Sequence, residues 1–313
     1  MPGATKEKLR ISGIQYATST VLRVTFGWED EELPKSVVLK TLASKDLRDD
    51  EEAKYHYLMF KRECNVYDWT QKYARLPSPR IFHIKRQTKD FSGVVVMEDI
   101  GERGVQQDAI KGLSVDAVRD LLRHLAVLHT VSMKHTGWST TVADLPPSYY
   151  AYLVANYHDM MNFFERHDVD HSRFVTNPEW YAHQDVDNPL TICIQWLLTE
   201  KKNISGNLES HSGCFGEDIA KAICWNLSTK DRLDCTTALL EEYHAHLVAN
   251  SPEDYHITMD VVRKAFDTFF PLAMVTFFSK VIATKNKEDI EPMIERAKGL
   301  IQNVYTMSKL LEG

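Results

Sequence analysis

Residues 36–41 read Ser-Val-Val-Leu-Lys-Thr and place a lysine, Lys40, near the end of an aliphatic, strand-like run. The segment Thr18–Gly27 has a similar composition, and an acidic connection, Trp28–Pro34, separates the two runs. Runs of Val, Leu and Thr that are bounded by turn-like residues are typical of β-strands. We therefore predict an antiparallel strand pair here, with Lys40 at the end of its second strand.

Two further segments complete an ordered set with this lysine. Asp46–Ala74 has helical spacing and carries Glu63, and Gly93–Ile100 is an apolar strand that runs out into acidic residues. In a phosphotransferase, a strand lysine neutralises the nucleotide phosphates and a helix glutamate holds that lysine in place. Each feature alone is typical of a surface charge, but their order predicts a nucleotide-phosphate site built from Lys40 and Glu63.

The chain changes character after Gly101. Ser114 has the position of a helix N-cap, and the residues that follow have helical periodicity. Further helices are predicted at Ser148–Phe164, Asp218–Cys224, Arg232–Val248, Met259–Val281 and Glu288–Leu311. The sequence thus predicts an α+β protein with a small antiparallel β domain over residues 1–100 and a larger helical domain over residues 101–313.

Composition limits the functional class. The 313 residues carry 37 Lys and Arg against 44 Asp and Glu, a net charge of −7, which disfavours a general nucleic-acid binder. The longest apolar run, Phe269–Phe278, is too short to span a bilayer, so no membrane span is predicted. Five unpatterned cysteines and the lack of a readable secretory signal predict a reduced, cytoplasmic protein. The sequence makes no prediction about protein partners.

Three segments carry a family resemblance: residues 33–40 (LPKSVVLK), 95–100 (VVMEDI) and 213–220 (GCFGEDIA). They resemble the CHK-type kinase-like family, which groups choline-kinase-like and ecdysteroid-kinase-like proteins. The resemblance implies a two-lobe, protein-kinase-like fold of the aminoglycoside-phosphotransferase type. It also implies that ATP and Mg²⁺ are cofactors and that phosphate is transferred to a hydroxyl of a small-molecule ligand.

The same resemblance assigns roles to individual residues. Gly13–Val24 takes the place of the nucleotide-covering loop, and Asp218 is expected to support the catalytic loop without reacting. The residues that the resemblance places at the nucleotide, as phosphate-binding pair and hinge, are Lys40, Glu63, Met97, Glu98, Asp99 and Ile100.

The family's catalytic segment, His-Gly-Asp followed by Asn, is not intact here, and two registers remain open. A register anchored on the strand residues 194–196 puts Asn188 at the catalytic position, where an amide cannot accept a proton as a carboxylate does. A second register uses residues 183–185 and makes Asp185 the base. No metal-binding residue is predicted in either register.

The helical domain is also predicted to be truncated in its catalytic hairpin. Glu209 runs almost directly into Gly213, so we expect the family's next strand, with its metal-binding carboxylate, to be missing. The leading interpretation is a CHK-type kinase homologue with impaired catalysis. The alternatives are a non-catalytic pseudokinase that binds a ligand or acts as a scaffold, residual activity through Asp185, and a coding sequence that lacks exons of an active kinase.

Overall fold

The computed structural model describes residues 9–15, 19–42, 51–73, 78–88, 91–101, 110–142, 157–167, 191–195, 209–251, 256–284 and 287–311. The chain divides into two compact units. The first comprises Met1–Gln107, Gly137–Ala143 and Ile194–Ser210, and the second comprises Asp108–Thr136, Asp144–Cys193 and His211–Gly313. The predicted domain boundary at residue 100 stays a prediction.

The first unit contains a five-stranded antiparallel sheet with strand order β1-β2-β3-β5-β4. Its strands are β1 (Leu9–Gln15), β2 (Ser19–Phe26), β3 (Ser36–Leu42), β4 (Ile81–Lys85) and β5 (Val94–Glu98). A single helix, α1 (Glu51–Thr70), connects β3 to β4. The predicted pair β2–β3 is present, and β1 extends it on one side. The sequence analysis placed part of β1 in the nucleotide-covering loop and made no prediction for the rest.

Alternation along the strands builds the core of this unit. On β3, Val38, Lys40 and Leu42 are all buried, and Lys40 lies opposite Val21 on β2 and Val95 on β5. Opposite residues of antiparallel strands share a face, so this face carries one lysine among aliphatic side chains. Helix α1 covers it. The residues of this hydrophobic cluster are Val21, Val38, Leu42, Phe60, Cys64, Val95 and Met97.

The helix approaches the sheet closely at one point. A Cβ atom added to Gly93, just before β5, would lie 2.2 Å from Cε1 of Phe60 on α1. No side chain fits in that space. The glycine therefore lets the Phe60 ring lie against the sheet. This contact positions the next turn of α1, which carries Glu63.

The second unit is mainly helical. Its described helices are α2 (Val115–Lys134), α3 (Tyr157–Arg166), α4 (Phe215–Asn226), α5 (Thr229–Asn250), α6 (Met259–Ala283) and α7 (Lys287–Leu311). Helices α4 to α7 begin and end within three residues of predicted helices, whereas residues 148–156 of the helix predicted at Ser148–Phe164 lie outside the described residues. The predicted N-cap is confirmed, since Ser114 Oγ accepts a hydrogen bond from the backbone N–H of Ala117. Ser228 and Thr258 cap α5 and α6 in the same way.

Helix α6 runs through the core of the second unit. Met259–Ile282 is long and apolar enough to cross a membrane by length and composition alone, but 67% of its apolar window is buried inside the protein. Core helices of globular proteins have the same composition. It packs against α4, where Gly216 permits the approach: a Cβ there would lie 2.6 Å from the carbonyl oxygen of Ala265.

The predicted loss of a hairpin strand is wrong. Residues Thr191–Gln195 form β6, and Glu209–Gly213 form β7, which pairs with it in a two-stranded sheet. The strand does not need additional residues between Glu209 and Gly213, because these five residues form it themselves. Their sequence, Glu-Ser-His-Ser-Gly, has low strand propensity, so pairing with β6 decides their conformation.

Candidate functional site

The first element of the site is a buried ion pair. Lys40 Nζ lies 2.9 Å from Glu63 Oε1 and 2.8 Å from Oε2, and the two side chains are only 5% and 4% exposed. The predicted contact between Lys40 and Glu63 is therefore confirmed. Strand β3 supplies the lysine from the middle of the covered face, and α1 supplies the glutamate from the turn after Phe60. Burial of two charges costs several kcal/mol per ion unless they pair with good geometry, as they do here.

Glu63 affects two ionisable neighbours on the same helix. Burial raises the pKa of Tyr67 well above its usual value, and the charge of Glu63 and a hydrogen bond to it raise this pKa further. Burial, with a contribution from Glu63, also raises the pKa of the Cys64 thiol to about 12. Tyr67 and Cys64 therefore stay protonated at neutral pH.

The hinge residues of the sequence analysis lie at the end of β5. Met97 is buried opposite Val38, and the Glu98 backbone N–H donates to the carbonyl of Arg80 at 2.8 Å. The Glu98 carboxylate accepts a hydrogen bond from the backbone N–H of Arg80 at 3.2 Å. Ile100 is 37% exposed. The side chains of Met97 and Glu98 therefore hold the strand, and any ligand contact from this segment comes from backbone atoms or from residues 99–100.

Asp99 ties three segments together. Its Oδ2 accepts from Arg23 Nε at 2.7 Å and from Ser36 Oγ at 2.6 Å, and its Oδ1 accepts from Arg23 Nη2 at 2.9 Å and from the Gly101 N–H at 3.0 Å. Burial alone would raise the pKa of Asp99, but the hydrogen bonds from Ser36 and Arg23 outweigh it and hold the pKa below its usual value. Gly101 has φ +48°, a left-handed conformation that favours glycine. The Asp99 carboxylate thus fixes β2, β3 and the chain after the hinge.

The sequence analysis missed this role for Asp99. The resemblance places this residue at the nucleotide, and in the structure its carboxylate contacts Arg23, Ser36 and Gly101. The signal that was available is weak: Arg23 is a charged residue in the middle of a β-branched strand.

Asp218, the residue expected to support the catalytic loop, lies in the second unit on α4. His129 on α2 lies between two partners, with Nε2 3.1 Å from Asp218 Oδ2 and Nδ1 2.8 Å from the Tyr243 hydroxyl on α5. All three residues are buried. A carboxylate can only accept, so His129 Nε2 donates to Asp218. This buried chain joins three helices and orients Asp218, and the sequence analysis had identified only Asp218 in it.

The predicted catalytic positions Asp185 and Asn188 lie outside the described residues. Within the described part of the chain, no group of three or more His, Cys, Asp or Glu side chains could hold a metal ion.

Comparisons with known proteins place the chain in a family. Residues 13–166 match the model of the ecdysteroid kinase-like family. No curated protein matches the chain. Among solved structures, choline kinase from Cryptosporidium parvum Iowa II is similar with a TM-score of 0.60 and 12% identity, covering 99% of this chain and 92% of that chain.

Two other structures show the same fold. A putative aminoglycoside phosphotransferase from Ralstonia eutropha JMP134 has a TM-score of 0.51 and 12% identity, covering 94% of this chain and 93% of its own. The GDP complex of wild-type aminoglycoside 2'-phosphotransferase-IIIa has a TM-score of 0.50 and 11% identity, covering 96% and 94%. At these identities the likeness concerns the fold, and it confirms the predicted α+β, kinase-like architecture. Residues 13–166, just under half of the chain, thus match the ecdysteroid kinase-like family, which confirms the family resemblance found in the sequence.

Proposed function

We propose that this protein is a CHK-type small-molecule kinase homologue that binds ATP through Lys40 and Glu63 but is impaired in phosphate transfer. The observation that carries the proposal is the buried ion pair on the β3–α1 face. In a protein that binds no nucleotide, this ion pair would add little stability, because replacing a buried ion pair by apolar side chains is often neutral or stabilising. A cytoplasmic location and a small-molecule ligand are part of the same proposal.

The structure of the first unit supports nucleotide binding in a second way. In kinases of this fold, a strand lysine held by a helix glutamate neutralises nucleotide phosphates. Here the glutamate carboxylate contacts Lys40 with both oxygens, which keeps the ammonium group in one position. The Asp99 contacts hold the end of β5 at the same sheet. Because the lysine and the hinge are already ordered, less conformational entropy is lost when a ligand binds.

Impaired transfer is supported by the catalytic segment. One register places Asn188 at the position of the general base, and Asp185 stands in a shortened segment in the other. A positioned general base contributes about 10²- to 10⁴-fold to rate. Without that contribution, we expect binding without useful turnover.

The proposal is tested by a thermal shift of the purified protein with ATP, with and without Mg²⁺, together with a phosphotransfer assay. ATP at about 100 times its dissociation constant should stabilise the native state by about 2.7 kcal/mol. No phosphate transfer to choline, ethanolamine or sterol-like alcohols should be detected. An unchanged melting temperature would favour the scaffold interpretation. Transfer that Asp185→Asn abolishes would establish an active kinase and contradict the proposed impairment.

A further inference from the structure

Helix α1 is buried on two separate faces. The face that packs on the sheet carries Phe60, Glu63 and Cys64. A second set of α1 residues recurs at spacings of three and four, which places them together on another side of the helix, and all of them are buried: Met59, Arg62, Val66 and Trp69. A helix that packs on one sheet alone buries only one face. Another part of the protein therefore covers the second face of α1.

A segment from a distant part of the chain lies at this second face. Residues Gly137–Ala143 follow α2 of the second unit along the chain but belong to the first unit. Asn65 borders the second face, because it lies one helical turn before Trp69. Its Nδ2 donates a hydrogen bond to the carbonyl oxygen of Thr141 at 2.7 Å. The segment is thus attached to α1 at the residue that lies two positions beyond Glu63.

The described residues of this segment, 137–142, form a compact turn that is stabilised by its own hydrogen bonds. The carbonyl oxygen of Trp138 accepts from the backbone N–H groups of Thr141 and Val142, both at 2.8 Å, and from the Thr141 hydroxyl at 3.0 Å. Trp138 and Val142 are 1% and 0% exposed. The turn therefore holds the Thr141 carbonyl in a fixed direction, and it loses little further conformational entropy when Asn65 binds it.

The position of α1 decides whether the ion pair of the candidate site forms. Glu63 contacts Lys40 on β3 through both carboxylate oxygens, so an outward movement of α1 breaks the pair. Phe60 holds the sheet side of the helix over Gly93, and Asn65 holds the helix from the other side. In protein kinases, the position of the corresponding helix controls this lysine–glutamate pair and is set by activation.

We propose that the 137–142 turn is an intramolecular clamp that holds α1 against the sheet and keeps Glu63 on Lys40 without a bound nucleotide or a partner protein. The inference names how the proposed nucleotide site is kept in its binding conformation, so its meaning for function rests on the proposed ATP binding. Asn65 is a positioning residue, since it acts on Lys40 through α1 and Glu63.

Removal of the Asn65 amide has an expected size and sign. Loss of one hydrogen bond, about 1 kcal/mol, should raise the equilibrium constant for opening of α1 about 5-fold. Alanine has a higher helix propensity than asparagine. If Asn65 were an ordinary surface residue, Asn65→Ala would therefore stabilise α1 and slow its opening, so the two interpretations predict changes of opposite sign.

The experiment measures how fast an amine-reactive reagent labels Lys40 in the full-length protein without nucleotide, by peptide mass spectrometry. Lys40 is 4% exposed and paired with Glu63, so it reacts only when α1 moves away from the sheet. We expect labelling of Lys40 to be about 5-fold faster in Asn65→Ala than in wild type. Lys61→Ala is the matched control, because Lys61 is an exposed residue one turn earlier on α1, and Lys40 in this variant should be labelled at the wild-type rate.

Hydrogen exchange separates the clamp from a general loss of stability. Amide exchange in α1 should become faster in Asn65→Ala, whereas exchange in β5 of the same unit should stay at the wild-type rate. Equal acceleration in α1 and β5 would make Asn65 a stabilising residue of the whole unit and overturn the clamp. Unchanged or slower labelling of Lys40 in Asn65→Ala would overturn it as well.

A second variant removes the donor without changing the size of the side chain. Asn65→Asp has a similar helix propensity, but its carboxylate cannot donate to the Thr141 carbonyl. It should accelerate labelling of Lys40 at least as much as Asn65→Ala does, and labelling at the wild-type rate would refute the hydrogen bond as the link.

Addition of ATP distinguishes failure of the clamp from failure of the proposed function. ATP should slow the labelling of Lys40 in wild type, because its phosphates would contact the lysine. If ATP gives no protection while Asn65→Ala is still labelled faster, the proposed ATP binding fails and the clamp remains. If ATP protects Lys40 but Asn65→Ala is labelled at the wild-type rate, the clamp fails and the proposed ATP binding remains.

Discussion

Replacement of Lys40 by methionine should destabilise the protein strongly, and the size of the effect follows from the geometry of its ion pair. Both Glu63 oxygens lie within 2.9 Å of Nζ, and both side chains are about 5% exposed. Removing one partner of such a pair leaves the other charge buried, which costs about 3–5 kcal/mol. Lys40→Met and Glu63→Gln should each lower the free energy of unfolding by this amount, measured by urea titration followed by circular dichroism.

The double variant Lys40→Met/Glu63→Gln separates this effect from a general loss of packing. It contains no unpaired charge, and the glutamine can still accept a hydrogen bond from Tyr67. The double variant should therefore be more stable than Lys40→Met by about 1–2 kcal/mol, and the coupling between the two sites should be large. If the two single losses simply add in the double variant, the ion pair does not determine the stability of this face, and the reasoning fails.

Three other predictions concern the rest of the described structure. Asp99 has a pKa below that of an unfolded aspartate, about 3.9, so its contribution to stability is complete above that pH and is lost as the pH falls through the folded-state pKa. Asp99→Asn should therefore be less stable than wild type at pH 6, with a smaller difference at pH 3, in urea titrations at both pH values. Gly216→Ala should lower the free energy of unfolding by about 1–3 kcal/mol, because the new methyl group would lie 2.6 Å from the carbonyl oxygen of Ala265; a melting temperature equal to that of wild type would contradict the close helix approach. Cys64 and Cys224 are buried and have thiol pKa values raised to about 12, so a thiol reagent at pH 8 should modify them only after unfolding, and rapid labelling of the native protein, mapped by mass spectrometry, would show that the sites open.

Much of the fold could be predicted because its signals are local. The strands around Lys40, the N-cap at Ser114 and the long helices follow from residue periodicity within a single segment. The contact between Lys40 and Glu63 was predicted as well, from the order of lysine strand, glutamate helix and apolar strand and from the family resemblance. The interpretation of β7 was wrong because its sequence, four polar residues and a glycine, carries no local strand signal.

The sequence by itself determined most of the order of strands and helices, the kinase-like class and the identity of the lysine–glutamate pair. Only the tertiary structure decided the contacts that hold the site together. Arg23 and Asp99 are 76 residues apart, and His129 and Tyr243 are 114 residues apart, yet each pair forms a hydrogen bond. The sequence does not show whether a polar side chain faces water or a partner that is distant along the chain. Its role is therefore settled only when folding buries it and supplies a partner, as for Asp99.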